Sequence, residues 1–344
     1  MKKTYFTTAW GLVTLWVAAS CSGSAGTDAH GFGPAEELYA DSVAIHEIVQ
    51  PRRMMVSGDK MILQTHIGDS LIYVYRLPEV SFLYAGIRAG GGPGEISTRY
   101  PEFLPRREKD GEFSLLCNSR LYDFTAADSG FVFRGEKRLY QSAPDEMPAF
   151  DVDYVTVEDN VDADRKDTYL YMYDLRTGAA LDSVPSRAVY HENRDSGNFE
   201  NASWGVQNAG MYAAVYPETG RVEFYDISGG KFVLGKAWGD DTPVEQLKNT
   251  DFSGREKGTD YYVARTDGKY LYILENHYVR TDETDRMPVA SYVLVYGWNG
   301  DPVKKYRLDK PVDGMMAAAG RLYAFNWAED FEKLYVYDMT AAGK

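Results

Sequence analysis

The side chains best suited to chemistry in this sequence are few and scattered. Glu275, Asn276 and His277 stand in a row within "ILENHYV". A carboxylate, an amide oxygen and an imidazole at one channel mouth would suit a hard cation such as calcium. Arg88, and His191, Glu192 and Arg194 within "VYHENRD", form a second polar set of the kind that lines binding surfaces. The histidines at 66, 191 and 277 match no zinc spacing. The acidic run "DNVDADRKD" fails as an EF-hand loop, because Arg165 stands where glycine is needed and Tyr171 where the bidentate glutamate belongs. No G-x-S-x-G elbow occurs, and no recognisable Cys–His pair.

Composition narrows the function classes. The 344 residues carry a net charge of −14 with no concentrated basic patch, so the chain repels nucleic acid and anionic headgroups. No nucleic-acid partner is expected. The chain is rich in tyrosine, with 27 copies against 15 phenylalanines. Tyrosine suits a half-buried pleated surface.

The N-terminus reads as a secretory signal. Lys2 and Lys3 precede a short apolar run that ends in "AASC" at Cys21. This resembles the lipobox of bacterial lipoproteins, although Ala18 replaces the commoner leucine. In that family the cysteine becomes the first mature residue and carries lipid, which implies lipidation of Cys21 and a membrane attachment through it. Residues 1–20 are then signal peptide, 21–40 a flexible Gly- and Ser-rich tether, and 41–344 the folded domain. Cys117, in the apolar run "EFSLLCN", is expected to be a buried, inert thiol.

Short strands dominate the rest. "LIYVYRL", "RLYDFT", "YLYMYDL", "RVEFYDI", "YVLVYGW" and "KLYVYDM" align on Tyr75, Phe124, Tyr173, Tyr225, Tyr296 and Tyr337. The repeat is roughly 40–50 residues, with one longer interval before Tyr296. Glycine turns at Gly58, Gly111, Gly210, Gly268 and Gly320 precede most of these strands. The unit reads strand, glycine turn, strand, loop, aromatic strand, tight turn, strand. It predicts an all-β, six-bladed β-propeller of four-stranded blades. The third unit, around "FDVDYVTVEDN", lacks the glycine turn. The last unit stops after its aromatic strand, so an N-terminal strand within Val43–Val49 is expected to complete the last blade against Leu334–Tyr337.

Between the first two units lies "GIRAGGGPGEISTRYP". It is a poor phosphate cradle, since no helix start and no Gly-Lys-Ser follow. A shaped loop fits, with glycines where the chain doubles back, Pro93 fixing the middle and Glu95 accepting from nearby amides; ligand contact stays open beside it. Gly90, Gly92, Pro93, Gly94 and Glu95 resemble the G-x-GPGE motif of the TolB-like six-bladed propeller lipoproteins of Bacteroidota, with Ile96 in place of the family's usual Phe. The resemblance implies that fold and a cell-envelope address at the outer membrane, periplasmic or surface-exposed, and lends no catalytic residue.

Long connections at 86–101, 185–200, 238–259 and 276–290 should share one face. Within 238–259, Thr242 is the expected N-cap of a short helix forming a lid or a brace. The expected function is non-catalytic binding of an envelope protein or glycan through that face, by a monomer that needs no cofactor. The alternative is a calcium-dependent hydrolase or lyase at the channel mouth, which would require Glu275, Asn276 and His277 to converge.

Overall fold

The computed structural model describes residues 27–105, 110–117, 120–138, 149–150, 154–162, 167–174, 180–191, 198–201, 203–250, 259–280, 286–326 and 330–340. Two short strands come first among these residues, β1 (Glu36–Leu38) and β2 (Asp41–Ala44). A first meander follows: β3 (Arg53–Ser57), β4 (Lys60–Gln64), β5 (Ile72–Arg76) and β6 (Ser81–Gly86). The second is β7 (Glu102–Pro105), β8 (Glu112–Cys117), β9 (Arg120–Ala127) and β10 (Gly130–Arg138). The third is β11 (Ala149–Phe150), β12 (Tyr154–Asp162), β13 (Asp167–Asp174) and β14 (Ala180–Pro185). A separate hairpin, β15 (Val189–His191) and β16 (Asn198–Glu200), comes next.

The fourth meander is β17 (Trp204–Asn208), β18 (Met211–Tyr216), β19 (Arg221–Asp226) and β20 (Val233–Trp238). One turn of helix, α1 (Val244–Leu247), precedes β21 (Thr259–Thr266), β22 (Tyr270–Arg280), β23 (Arg286–Gly297) and β24 (Pro302–Leu308). The chain ends with β25 (Gly314–Ala318), β26 (Arg321–Phe325) and β27 (Lys333–Asp338).

Each meander is an antiparallel sheet. The innermost strands lie side by side around an axis, β3 beside β7, then β11, β17, β21 and β25, which returns to β3. The sheets stack face to face. Ile62 and Val74 of one pack on Phe113 and Phe124 of the next, and Phe224 packs on Tyr296. The aligned aromatics fall on the third strand of each sheet, where Tyr75, Phe124, Tyr225, Tyr296 and Tyr337 are buried. The glycine turns join first and second strands. At Gly111 φ is +84°, and a Cβ would lie 2.7 Å from the Ala126 carbonyl oxygen, so only glycine fits without a shift.

Three expectations need correction. Among the described residues five sheets are four-stranded, but the sheet of β21–β24 takes β1 as a fifth strand, parallel to β24 with Glu36 opposite Tyr306. The uniform set of six four-stranded blades is therefore not what the fold contains. Part of the expected tether is docked on the ring: within residues 27–40, His30, Phe32 and Leu38 are buried. The Asp28 carboxylate accepts from the amides of His30 and Phe32, and Phe32 sits edge-on against Tyr296 at 4.8 Å, with only 3% exposed. The α1 N-cap is Pro243; the Thr242 hydroxyl donates instead to the Asp240 carboxylate.

β2 completes the last sheet, antiparallel to β27, with Val43 opposite Leu334. The strand is Asp41–Ala44, shorter and earlier than expected. Beyond it Ile45 and Ile48 leave the ladder to fill the core between the first and last sheets.

Candidate functional site

Alternating strand direction sorts the connections. First and third strands begin, and second and fourth strands end, at the same end of the ring. The glycine-rich loop, the β15–β16 hairpin and the α1 segment all lie there. The α1 segment is a brace: Leu247 is buried against Val189, and the buried Arg187 donates to the carbonyls of Asp240 and Thr242. The 276–290 connection is mostly sheet, because β22 and β23 continue as a ribbon as far as Arg280 opposite Arg286.

At this end a cavity of about 490 Å³ opens on the axis, among β3, β17, β21 and β25. Arg52 and Arg53 enter from the start of β3, Gln64 from the end of β4, and Trp204 from the start of β17. Arg265 comes from the far part of β21, and its guanidinium reaches the field of Glu102 at the start of β7. Arg53 forms an ion pair with Glu102. Burial pushes the Glu102 carboxyl above its ordinary range, against the pull of Arg53 and Arg265.

Short-range order fixes the rim. The Arg52 amide donates to the Gln64 carbonyl at 2.8 Å. The Gln64 side chain is 1% exposed; its Nε2 donates to the Arg99 carbonyl at 3.4 Å, while Oε1 has no partner. The His66 ring stacks on Tyr100, with centroids 5.4 Å apart. Desolvation, then Arg52 and Arg99, lower the His66 pKa from 6.5, so the ring is neutral at pH 7. Its Nδ1 also lacks a partner. The cavity wall carries three guanidinium groups and one carboxylate, Asp313, in a chain of net charge −14.

The residues singled out in the sequence are distributed differently. Asn276 is fully buried and belongs to the architecture: its Nδ2 donates to the Val312 carbonyl at 2.7 Å, and its Oδ1 accepts from the Ser291 hydroxyl at 2.6 Å. Glu275 and His277 are engaged elsewhere. Glu275 Oε1 is 3.2 Å from His277 Nε2, and Oε2 is 3.5 Å from Lys305 Nζ, which also pairs with Asp28 at 2.8 Å. None of the three lines the cavity. The convergence that the calcium-dependent reading requires is not made by these side chains, and among the described residues no group of three or more His, Cys, Asp or Glu is placed to hold a metal ion.

Arg88 is exposed, and its carbonyl accepts from the Ile96 amide at 2.9 Å. The backbone of His191 is in β15; Glu192, Arg194 and Cys21 lie outside the described residues. Gly90 to Glu95 form a self-contained loop. The Gly90 amide donates to the Ile96 carbonyl, and the Glu95 carboxylate accepts from the Gly92 amide. Ile96, at the departure from the family motif, is fully buried beside Leu71, Phe113 and Cys117. Sequence reading missed Arg52, Gln64, Trp204 and Arg265. The β3–β4 hairpin sets Arg52 beside Gln64, and closure of the ring adds Trp204 and Arg265; the "PRR" leading into β3 is the one local hint.

No family model matches this chain, and no curated protein matches it. Among solved structures it is similar to a Bacteroides fragilis protein described as exported. That match has 12% identity and a TM-score of 0.55, and covers 87% of this chain and 94% of the other. The fold is a β-propeller. A second similar structure is BamB of Moraxella catarrhalis, at 12% identity and a TM-score of 0.35, over 83% of this propeller and 71% of BamB.

Proposed function

We propose that this propeller is a non-catalytic binding module of the cell envelope. It engages a partner protein or glycan at the end where the long connections and the axial cavity meet. The observation that carries the reading is the cavity: a concave space of about 490 Å³ whose wall brings Arg52, Arg53, Gln64 and His66 of the first sheet together with Trp204 and Arg265 of two others. A concave site with a few convergent polar groups is the usual form of a binding pocket. The exported description of the Bacteroides fold relative supports the address.

Two finer features belong to the same reading. The sheet of β21–β24 with β1 acts as a sixth blade; its inner strand lies between β17 and β25, which supports this count. Cys21 is lipidated and tethers the domain to the outer membrane as in TolB-like lipoproteins; the signal-like segment ahead of it supports this. No helix among the described residues is long and apolar enough to cross a membrane.

A pull-down from envelope extract tests the binding reading. The bait is the soluble chain from Ser22, beside the same chain with Arg52→Glu and His66→Ala. The expected result is a partner recovered by the first and lost by the second. Equal recovery overturns the choice of surface. Metabolic labelling with palmitate tests the anchor: the full chain takes label and Cys21→Ser does not.

A further inference from the structure

The docked N-terminal segment decides which part of the ring an anchor can hold. On the reading above, lipid sits on Cys21. A tether running freely to residue 40 would let the ring stand about 70 Å away. The chain docks much earlier. The Asp28 carboxylate pairs with Lys305 at 2.8 Å, and the Ala29 carbonyl accepts from the Gly239 amide at 3.3 Å. At Gly31 a Cβ would lie 2.7 Å from the Trp238 ring and 3.2 Å from Pro302, so the chain threads between the end of β20 and the start of β24. Six residues separate Cys21 from Asp28, a reach of about 25 Å at full extension. The anchor is therefore tied to one side of the ring, the rim that β20 and β24 form.

That rim suits a lipid surface. Val233 and Leu234 on β20 and Val303 on β24 are each half exposed or more. Leu234 lies about 13 Å along β20 from Trp238, and Val303 follows Pro302. The whole chain carries a charge of −14, but carboxylates here are matched: beside the Asp28–Lys305 pair, Glu36 pairs with Lys304 and Asp301 with Lys236. Apolar side chains among paired charges can meet uncharged headgroups without the repulsion that unpaired carboxylates would bring. Phe82 on β6 and Val132 on β10 are exposed as well. The order of the inner strands sets their sheets across the ring, with β3 and β7 opposite β17 and β21, away from the point where the tether emerges.

We propose that the anchored propeller rests edge-on against the bilayer surface through the rim of β20 and β24, with Val233, Leu234 and Val303 at headgroup level. The ring axis then runs along the membrane, and the axial cavity opens sideways.

Hydroxyl-radical footprinting tests this. The chain from Cys21 is coupled through that thiol to maleimide-bearing lipid in vesicles of phosphatidylcholine and phosphatidylethanolamine, which keeps the tether at its natural length. The reference is the same chain with Cys21 capped by N-ethylmaleimide, beside the same vesicles. Coupling should lower the oxidation of Val233, Leu234 and Val303 and leave Phe82 and Val132 unchanged. In the coupled variant Leu234→Asp with Val303→Asp, oxidation of Val233 should return to the reference level. Thermal melting checks that the variant folds; Leu234→Ser with Val303→Ser replaces it should it not. Unchanged oxidation at β20 and β24, or equal protection at Phe82 and Val132, overturns the edge-on placement. Val233 still protected in the folded variant overturns the apolar contact. Because coupling supplies the attachment, these outcomes leave natural lipidation to the palmitate experiment: loss of that label removes the anchor, whereas an unprotected rim removes only the placement.

Discussion

The carboxylate of Glu95 turns back on its own loop and accepts a hydrogen bond from the Gly92 amide at 2.8 Å. A Cβ at Gly90 would lie 2.1 Å from the same Glu95 oxygen, whereas one at Gly91 would meet nothing within 4 Å. Gly90→Ala therefore displaces the Glu95 carboxylate from the Gly92 amide and should cost about 1 kcal/mol, the net worth of that exposed hydrogen bond. Gly91→Ala should stay within about 0.5 kcal/mol of the parent. Urea unfolding of the two variants side by side decides it. Equal midpoints would mean that Glu95 does not hold the loop.

Phe32 offers a test of the packed N-terminal segment. Its ring is buried against Tyr296. Phe32→Ala should lower stability by about 3–5 kcal/mol, the usual cost of emptying a buried aromatic site. A residue in a loose tether would change the urea midpoint by almost nothing.

The ion cluster at Glu275 should shape the acid limb of stability. Burial disfavours its charged form, but the His277 hydrogen bond and the Lys305 ammonium outweigh burial and hold its pKa below the ordinary 4.5. The unfolded chain then binds this proton more tightly than the folded one. Its contribution is complete above pH 4.5 and drains away as pH falls through the lower folded value. Urea midpoints followed downward from pH 6 should fall less steeply for Glu275→Gln than for the parent. Parallel curves would exclude Glu275 as the source.

Cys117 should be silent to thiol reagents in the folded protein. It is 1% exposed, and burial, with a further push from Glu102, raises its pKa to about 12. The thiolate is the reactive form. In the chain from Ser22, which keeps only this cysteine, Ellman's reagent should react at the rate of unfolding and become fast in denaturing urea. Rapid labelling without denaturant would show an open path to the thiol.

Much of the architecture is legible because it is local. Tyr75, Tyr225, Tyr296 and their counterparts mark the third strand, since a period-2 apolar run with one large ring must face the neighbouring sheet. The closing partner of Leu334 is legible too, because an unfinished last sheet needs an edge. β1 is not. Its three residues, Glu36–Leu38, bury one apolar side chain, and its pairing with β24 depends on the assembled ring. The site was misjudged for a related reason. Neighbours along a strand point to opposite faces, so Glu275, Asn276 and His277 cannot act as one cluster from a single extended strand. Arg52 and Gln64 share one hairpin, but Trp204 and Arg265 come from other sheets and join them only when the ring closes.

The segment from β1 to β2 touches two neighbouring sheets, running parallel to β24 and then antiparallel to β27. Both docking edges are translated near the end of the chain, so this early segment can take its place only once β24 and β27 exist. This order of events postpones closure of the ring until the C-terminal strands are in place.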